Sequence, residues 1–136
     1  MFIAKSASFG YWLRLDGLAN ALWEIEPDIS VTGITLSENQ HAFTTQKAKQ
    51  DNRQQYLAFH LCNYRHQRVS FDQIVSLGML EYVGMRHFDG YFTSIARLLA
   101  PNGVALIHSI GVHHNAKRFN RWLNKHIFPG GYIPSL

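Results

Sequence analysis

Phe71–Gly111 reads FDQIVSLGMLEYVGMRHFDGYFTSIARLLAPNGVALIHSIG, and this stretch decides the fold. Its pattern predicts a strand over Phe71–Leu77, an amphipathic helix over Phe88–Leu99 and a second strand over Val104–Ile110. Pro101-Asn102-Gly103 is a turn sequence, which we expect to separate that helix from the second strand. The order strand, helix, strand is typical of a βαβ unit with two parallel strands.

Two chemically reactive side chains stand near the ends of these strands. Glu81 follows the first strand, and His108 lies near the end of the second. Ligands of open α/β sheets bind at the carboxyl ends of the strands, so the pair predicts a site at that edge. A histidine in such a pattern is more often a core residue, and the pattern alone leaves both interpretations of His108 open.

The rest of the chain continues the alternation of helices and strands. Ser37, with Gln40 three residues later, matches a capping box and predicts the start of a helix that runs to about Gln54. The other predicted elements are helices over Asp16–Glu26 and Arg118–Phe128 and strands over Val31–Leu36 and Tyr56–Tyr64. Together these elements predict an α/β domain with a mostly parallel sheet.

Composition indicates a folded domain and says little about partners. Of the 136 residues, 46% are hydrophobic and 16% are charged, which excludes a disordered tail. The net charge of +4 comes from scattered basic residues, so nucleic acid is not expected as a partner. The single cysteine, Cys62, fits a reducing compartment, and we interpret it as a small buried hydrophobic residue in a strand rather than a nucleophile.

Targeting signals are not evident in the sequence. No apolar run approaches the ~20 residues that span a bilayer. The first ten residues, MFIAKSASFG, lack the basic-then-apolar layout of a signal peptide. We therefore expect a cytoplasmic location.

Four segments carry a resemblance to a known family. They read VTGITLSENQ (residues 31–40), FDQIVSLGMLEYVG (71–84), LLAPNGVALIHSIG (98–111) and WLNKHIFPGGYIPSL (122–136). In order and spacing they resemble the cyclopropane-fatty-acyl-phospholipid synthase family, a branch of the S-adenosylmethionine-dependent methyltransferases. The resemblance implies a Rossmann-like class I methyltransferase sheet with helices on both faces.

The resemblance also implies a reaction. Such enzymes add a methylene, taken from the methyl group of S-adenosylmethionine, to the cis double bond of unsaturated phospholipid acyl chains. The partner would be lipid at the membrane surface, which places the protein peripherally at the inner membrane surface.

The family's catalytic residues map onto three positions of this chain. The resemblance implies that Glu81 and His108, with the backbone of Ile110, hold a bound bicarbonate that takes the proton during ring closure. A carbocation requires nearby negative charge in a dry pocket and a base within hydrogen-bond reach, so the assignment is chemically consistent.

The cofactor-binding positions are implied in the same way. Segments at the ends of the second, third and fourth strands of the family sheet meet S-adenosylmethionine. The matching residues here are Thr35, Leu36, Ser37, Gln40, Asn63, Tyr64, Leu77 and Gly78. Many relatives resemble Asp-Tyr-Arg where this chain has Asn63-Tyr64-Arg65, and many carry a histidine where it has Tyr82. No metal site is expected.

The chain departs from the family at its N-terminal end. A glycine loop resembling Asp-Ile-Gly-Cys-Gly-Trp-Gly-Gly should precede Leu18, but residues 9–17 read FGYWLRLDG. The sequence GYWLRL can be encoded as GGA TAT TGG TTG CGG CTG, and a shift of one base gives GAT ATT GGT TGC GGC, which encodes Asp-Ile-Gly-Cys-Gly. We therefore expect residues 1–16 to be an aberrant segment, translated out of frame, and residues 17–136 to be a partial methyltransferase domain.

This departure has consequences for the sheet. In the family the first strand lies at the centre, between the second and fourth, and the last strands come after the region matched here. Among Met1–Leu15, we expect Ser8–Leu13 to supply any substitute strand. The expected chain is marginally stable and has little unaided activity. An inactive remnant, a homo-oligomer and a chain complemented by another polypeptide all stay open alternatives.

Overall fold

The computed structural model describes residues 2–4, 15–27, 29–113, 121–126 and 132–134. Its strands are β1 (Phe2–Ala4), β2 (Val31–Thr35), β3 (Leu57–Leu61), β4 (Phe71–Leu77) and β5 (Leu99–His108). Its α-helices are α1 (Leu15–Ile25), α2 (Glu38–Gln50), α3 (Leu80–Val83), α4 (Phe88–Leu98) and α5 (Arg121–His126). The strands form one sheet in the order β3-β2-β1-β4-β5.

The sheet is parallel except at its centre. β2 pairs with β3 and β4 pairs with β5 in parallel, whereas β1 is antiparallel to both of its neighbours, β2 and β4. Phe2 lies opposite Ile34 and Ser76, and Ala4 lies opposite Thr32 and Ile74. The expected substitute strand, Ser8–Leu13, lies outside the described residues, and Phe2–Ala4 occupies the central position.

Helices cover both faces of the sheet, as expected for this fold class. Val31 and Ile34 on β2 point to opposite faces because side chains alternate along a strand. The cluster on the Val31 face combines α1 and α2 with β2 and β3 and consists of Ala19, Leu22, Ile29, Val31, Ala48 and Leu57. The cluster on the Ile34 face includes α4 and consists of Ile34, Tyr64, Phe71, Ile74, Leu80, Tyr91, Ile95 and Leu98.

Half of the predicted capping box forms at the start of α2. Ser37 is the N-cap, and its hydroxyl accepts a hydrogen bond from the Gln40 backbone N–H at 3.3 Å. The Ser37 N–H donates to the Thr35 hydroxyl at 3.1 Å rather than to the Gln40 side chain. The helix ends at Gln50, before the predicted Gln54, because Asn52 adopts a left-handed conformation with φ of 55°.

The predicted turn at Pro101-Asn102-Gly103 was wrong, since these residues lie within β5. Leu99 already pairs with Phe71, and the register shifts before Gln73 pairs with Val104. Asn102 adopts a left-handed conformation, with φ of 66°, that accommodates this irregularity. A side chain at Gly103 would place its Cβ 2.9 Å from the Ala100 carbonyl oxygen, so the glycine is required by packing.

Other boundaries differ by a few residues. β3 ends at Leu61, and Tyr64 begins a short 3-10 helix instead of ending the strand. Cys62 therefore follows β3; it is partly buried against the core, and burial raises the pKa of its thiol. Within the described residues, no helix has the length and apolar character needed to cross a membrane.

Candidate active site

The carboxyl ends of the four parallel strands meet at one edge of the sheet. β2 ends at Thr35, β3 at Leu61, β4 at Leu77 and β5 at His108. Leu77 and His108 are direct neighbours in the register of β4 and β5. The Gly78 N–H donates to the His108 carbonyl oxygen at 3.1 Å, which joins the two strands at this edge.

Glu81 is fully buried at this edge. Its Oε1 accepts a hydrogen bond from the Ile110 backbone N–H at 2.5 Å. Its Oε2 is also buried and has no hydrogen-bond partner among the described residues. A buried carboxylate oxygen without a donor is costly, so this atom is available to a ligand that carries a hydrogen-bond donor.

Two glycines place Glu81 in this position. Gly78 has φ of 57° and turns the chain out of β4, and Gly84 has φ of 72° and ends the one-turn helix α3. Both values are in the left-handed region, where glycine has no steric penalty. The Tyr132 N–H donates to the Glu81 carbonyl oxygen at 3.1 Å, which adds a second backbone contact to α3.

His108 lies at the same edge but on a different face. Ile107 packs against the α4 core, so the alternation along β5 turns His108 to the opposite face, where its side chain is exposed. Among the described residues, no hydrogen bond joins the side chains of Glu81 and His108. The structure therefore brings Glu81 to the Ile110 backbone and leaves the role of the His108 side chain as a prediction.

A buried hydroxyl pair joins α4 to β4. Tyr91 on α4 and Ser76 on β4 are fully buried, and the Tyr91 hydroxyl donates to the Ser76 Oγ at 2.6 Å. Burial raises the pKa of Tyr91 to about 12, and the charges of Tyr64 and Glu81 act in the same direction, against the lowering effect of the Ser76 hydrogen bond. Sequence reasoning missed this pair; the polar Ser76 inside an apolar strand was the available signal.

The residues expected to meet the cofactor at the end of β2 lie together. The Thr35 hydroxyl donates to Gln40 Oε1 at 2.8 Å, and the Thr35 carbonyl accepts from the Cys62 N–H at 3.0 Å. Leu36 is 72% exposed at the same edge. These contacts tie the ends of β2 and β3 to the start of α2.

The residues expected beside the adenine are held by other contacts. Asn63 Oδ1 accepts from the Arg65 N–H at 3.0 Å and caps the 3-10 helix. Tyr64 is buried, and its ring makes an edge contact with Tyr91 at 5.7 Å between centroids. Tyr64 is therefore a core residue whose side chain faces away from solvent.

The inverted central strand limits what can reach this edge. Because β1 is antiparallel, its amino end lies beside Ile34 and Ser76, near the carboxyl ends of β2 and β4. Its own carboxyl end lies at the opposite edge of the sheet. The positions expected to meet the cofactor at the ends of β2, β3 and β4 therefore lie at the edge opposite to the carboxyl end of β1.

Comparison with known proteins gives a consistent result. The family model for mycolic acid cyclopropane synthetase matches residues 20–136. Cyclopropane-fatty-acyl-phospholipid synthase of Escherichia coli (strain K12) is 37% identical over 109 residues, which cover 80% of this chain and 28% of that protein. Cyclopropane mycolic acid synthase 1 of Mycobacterium tuberculosis (strain ATCC 25618 / H37Rv) is 31% identical over 122 residues, covering 80% of this chain and 42% of that protein.

The fold matches solved structures as well. Mycolic acid cyclopropane synthase CmaA1, determined in complex with SAH and CTAB, superposes with a TM-score of 0.73 and 26% sequence identity. The match covers 97% of this chain and 51% of that structure. The chain thus spans about half, or less, of the length of the relatives it matches.

Proposed function

Since the chain belongs to the mycolic acid cyclopropane synthetase family, we propose that it carries the proton-transfer part of an S-adenosylmethionine-dependent methyltransferase. The proposed substrate is the cis double bond of unsaturated phospholipid acyl chains, and the product is a cyclopropane ring. The observation that carries the proposal is Glu81, fully buried at the carboxyl edge with one oxygen held and one open.

The two carboxylate oxygens of Glu81 have different roles in this proposal. Oε1 is bound to the Ile110 N–H, which sets the orientation of the carboxylate. Oε2 accepts a hydrogen bond from the ligand. Bicarbonate fits because its hydroxyl is a donor, whereas chloride and nitrate have none.

The reaction needs negative charge and a base in a dry pocket. When bound, S-adenosylmethionine supplies the methyl group and bicarbonate supplies the base. Glu81 provides buried negative charge beside the reacting carbons, and burial makes that charge more effective than it would be in water. His108, at the end of the adjacent strand, is proposed to receive the proton and pass it to solvent because its side chain is exposed.

The cofactor is proposed to lie across the ends of β2, β3 and β4. CmaA1 was determined with SAH, which supports an S-adenosyl group at the corresponding edge. Thr35, Ser37 and Gln40 are already joined to one another there by hydrogen bonds, so their polar groups are in place before a ligand binds. Leu36, Asn63, Leu77 and Gly78 complete the proposed contacts, and Tyr64 supports them from the core.

Exposed apolar side chains support a lipid substrate. They belong to segments that follow the carboxyl ends of β2, β4 and β5, and they are Leu36, Tyr82, Met85 and Ile110, between 40% and 72% exposed. Apolar residues grouped at a ligand-binding edge are typical of a surface that receives an acyl chain or contacts a membrane. We propose peripheral attachment at the membrane surface through this edge.

A second candidate function is an inert family remnant that does not catalyse by itself. The antiparallel direction of β1 favours it, because the carboxyl end of this central strand lies at the edge opposite to the proposed cofactor positions. A second copy or another polypeptide would then have to complete the site. The two candidates differ in whether this chain alone binds S-adenosylmethionine.

The test uses S-adenosylmethionine labelled in its methyl group and vesicles of unsaturated phosphatidylethanolamine, with and without added bicarbonate. The enzyme proposal predicts labelled lipid, and Glu81→Gln should reduce its rate about 100-fold or more, because the amide offers a donor where the ligand needs an acceptor. Glu26→Gln is the matched control, since Glu26 follows α1 directly and its side chain is exposed. Labelling that is unaffected by Glu81→Gln contradicts the role of Glu81.

Calorimetric titration with S-adenosylmethionine distinguishes the inert remnant from the active enzyme. Absence of labelled lipid together with absence of binding supports the inert remnant. Micromolar binding by this 136-residue chain contradicts the remnant.

A further inference from the structure

Residues 132–134, part of the IFPGGYIPSL sequence at 127–136, contact the candidate site although they belong to no strand or helix. The Tyr132 N–H donates to the Glu81 carbonyl oxygen at 3.1 Å, and the Pro134 carbonyl oxygen accepts from the Val112 N–H at 3.0 Å. All three residues of the segment are half-buried. The 132–134 segment is therefore bound both to the helix that carries Glu81 and to the chain that follows β5.

These hydrogen bonds form a closed circuit that includes the Glu81 carboxylate. Glu81 Oε1 accepts from the Ile110 N–H at 2.5 Å, and Val112 lies two residues further along the chain. The Val112–Pro134 bond leads to the 132–134 segment, and the Tyr132 N–H returns to the backbone of Glu81. Because the circuit is closed, a displacement of the 132–134 segment has to stretch or break one of its hydrogen bonds.

The Tyr132 ring attaches this circuit to α4. It makes an edge contact with the ring of Phe88, with 6.0 Å between the centroids. Phe88 is the first residue of α4 and packs against the core on that face of the sheet. Aromatic pairs in this arrangement attract each other beyond the effect of their buried area. The ring contact therefore holds the 132–134 segment in place, and the circuit extends that support to Glu81.

The two partners of the Glu81–Ile110 hydrogen bond need such support. Glu81 lies in α3, a four-residue helix whose N-cap, Met79, makes no side-chain capping bond. A helix of one turn is not stable by itself in water. Ile110 lies beyond β5, which ends at His108, and its side chain is 49% exposed. Contacts from another part of the chain are therefore needed to keep the carboxylate and this N–H aligned.

We propose that Tyr132 is a positioning residue that holds the Glu81 carboxylate against the Ile110 N–H. This inference rests on the proposed function in one respect, since the Glu81 carboxylate is taken as the group that meets the ligand. Tyr132 acts through its N–H on α3 and through its ring on Phe88, and it needs no contact with the reacting atoms. Loss of the ring loosens the segment, so Glu81 and Ile110 separate more often.

Amide hydrogen exchange in the wild type, followed by NMR, tests the circuit without any substitution. The N–H groups of Ile110, Val112 and Tyr132 each donate one of its hydrogen bonds. A circuit that opens as one unit gives these three amides the same free energy of opening. Unequal values would overturn the proposal, because the Glu81–Ile110 bond would then open independently of the 132–134 segment.

Substitution of Tyr132 tests the role of its ring. Tyr132→Ala keeps the backbone N–H, and we expect exchange of the Ile110 amide to rise about tenfold, as the loss of an aromatic pair implies. The amide of Ile74, fully buried in β4, should change less. Tyr132→Phe keeps the ring and should behave as wild type. Phe92→Ala is the matched control, because the Phe92 ring makes a similar edge contact with Phe88, at 6.4 Å, but lies outside the circuit.

The chemical shift of the Ile110 amide proton is a readout that a change in global stability alone does not move. An N–H bound to a carboxylate makes a charge-assisted hydrogen bond, and Glu81→Gln shows how its resonance moves when the charge is removed. Tyr132→Ala should move the resonance in the same direction. An unmoved resonance in folded Tyr132→Ala, or an equal rise in exchange at Ile110 and Ile74, would overturn the inference.

The labelled-lipid assay separates this inference from the proposed function. Tyr132→Ala should raise the bicarbonate concentration for half-maximal labelling about tenfold, the order expected when a contact that supports a ligand-binding group is lost. Tyr132→Phe should leave it unchanged. If the wild type does not label lipid, the proposed function fails while the exchange and chemical-shift measurements still decide the role of Tyr132. An active Tyr132→Ala variant with wild-type bicarbonate dependence would overturn the positioning role.

Discussion

The β4–β5 half of the sheet and its central strand, β1, differ in the direction of strand pairing. At the β4–β5 edge, five consecutive residue pairs from Gln73–Val104 to Leu77–His108 lie in parallel register and lead to a buried glutamate. At the centre, three residues of β1 pair in the opposite direction with both neighbours. The first region has the strand direction that a ligand site needs, and the second has only the backbone pairing that a stable sheet needs.

The comparison shows that strand pairing and strand direction are separable requirements. Buried N–H and C=O groups of β2 and β4 need partners, and either direction of a central strand can supply them. Ligands of open α/β sheets bind at the carboxyl ends of the strands, and the carboxyl end of an antiparallel strand lies at the opposite edge. β1 therefore supplies the backbone pairing while its carboxyl end points away from the edge where the other four strands end.

The largest effect is expected from Ile3→Pro. β1 has a neighbour on each side, so the Ile3 N–H points toward β2 or β4 in either orientation, and proline removes it from the middle of the sheet. We expect the free energy of unfolding, measured in urea, to fall by about 3 kcal/mol or more. Ile3→Val keeps the N–H and is the control. An unchanged urea midpoint in Ile3→Pro would show that β1 contributes nothing to the sheet.

The sequence predicted the β4 half of the fold better than the centre. β4 was predicted with its observed bounds, Phe71–Leu77, and α4 ends within one residue of its prediction. Both elements have a clear period and are bounded by local signals. β1 has neither, since three residues carry no periodicity and their pairing depends on strands about 30 and 70 residues away.

Long-range pairing also explains the error in β5. Pro101-Asn102-Gly103 has the composition of a turn, but pairing of Leu99 with Phe71 draws the segment into the sheet. In the site, a lone acid after an apolar strand was enough to single out Glu81. Its partner, the Ile110 N–H, could not be deduced from residue types because a backbone group has no sequence signal.

A smaller effect is expected from the pH dependence contributed by Tyr91. Burial raises its pKa to about 12 from the ordinary tyrosine value of 10.0, so the unfolded chain loses this proton first. The stabilising contribution is complete below about pH 10 and is lost as the pH rises toward 12, by roughly 3 kcal/mol in total. Tyr91→Phe removes this dependence and, near neutral pH, costs about 1 kcal/mol for the buried hydrogen bond.

Urea unfolding at a series of pH values gives the difference between wild type and Tyr91→Phe. The difference should shrink, then change sign, between pH 10 and 12. Tyr56→Phe, on the β2–β3 side of the sheet, is the control for general tyrosine ionisation. A constant difference across this range would mean that burial of the Tyr91 hydroxyl does not raise its pKa.

The smallest effect is expected from Ser37→Ala, which tests the cofactor side of the comparison. The Ser37 hydroxyl caps α2 through the Gln40 N–H, and loss of such a cap costs about 1 kcal/mol in the free energy of unfolding. A residue that only caps gives the same cost with and without S-adenosylmethionine, whereas one that also contacts the cofactor gives a larger cost when the cofactor is bound. Thermal unfolding of wild type, Ser37→Ala and the control Ser94→Ala on α4, each with and without cofactor, distinguishes these outcomes. An equal cost in both conditions would assign Ser37 to the helix alone and leave the β2 end, like the centre of the sheet, serving stability rather than chemistry.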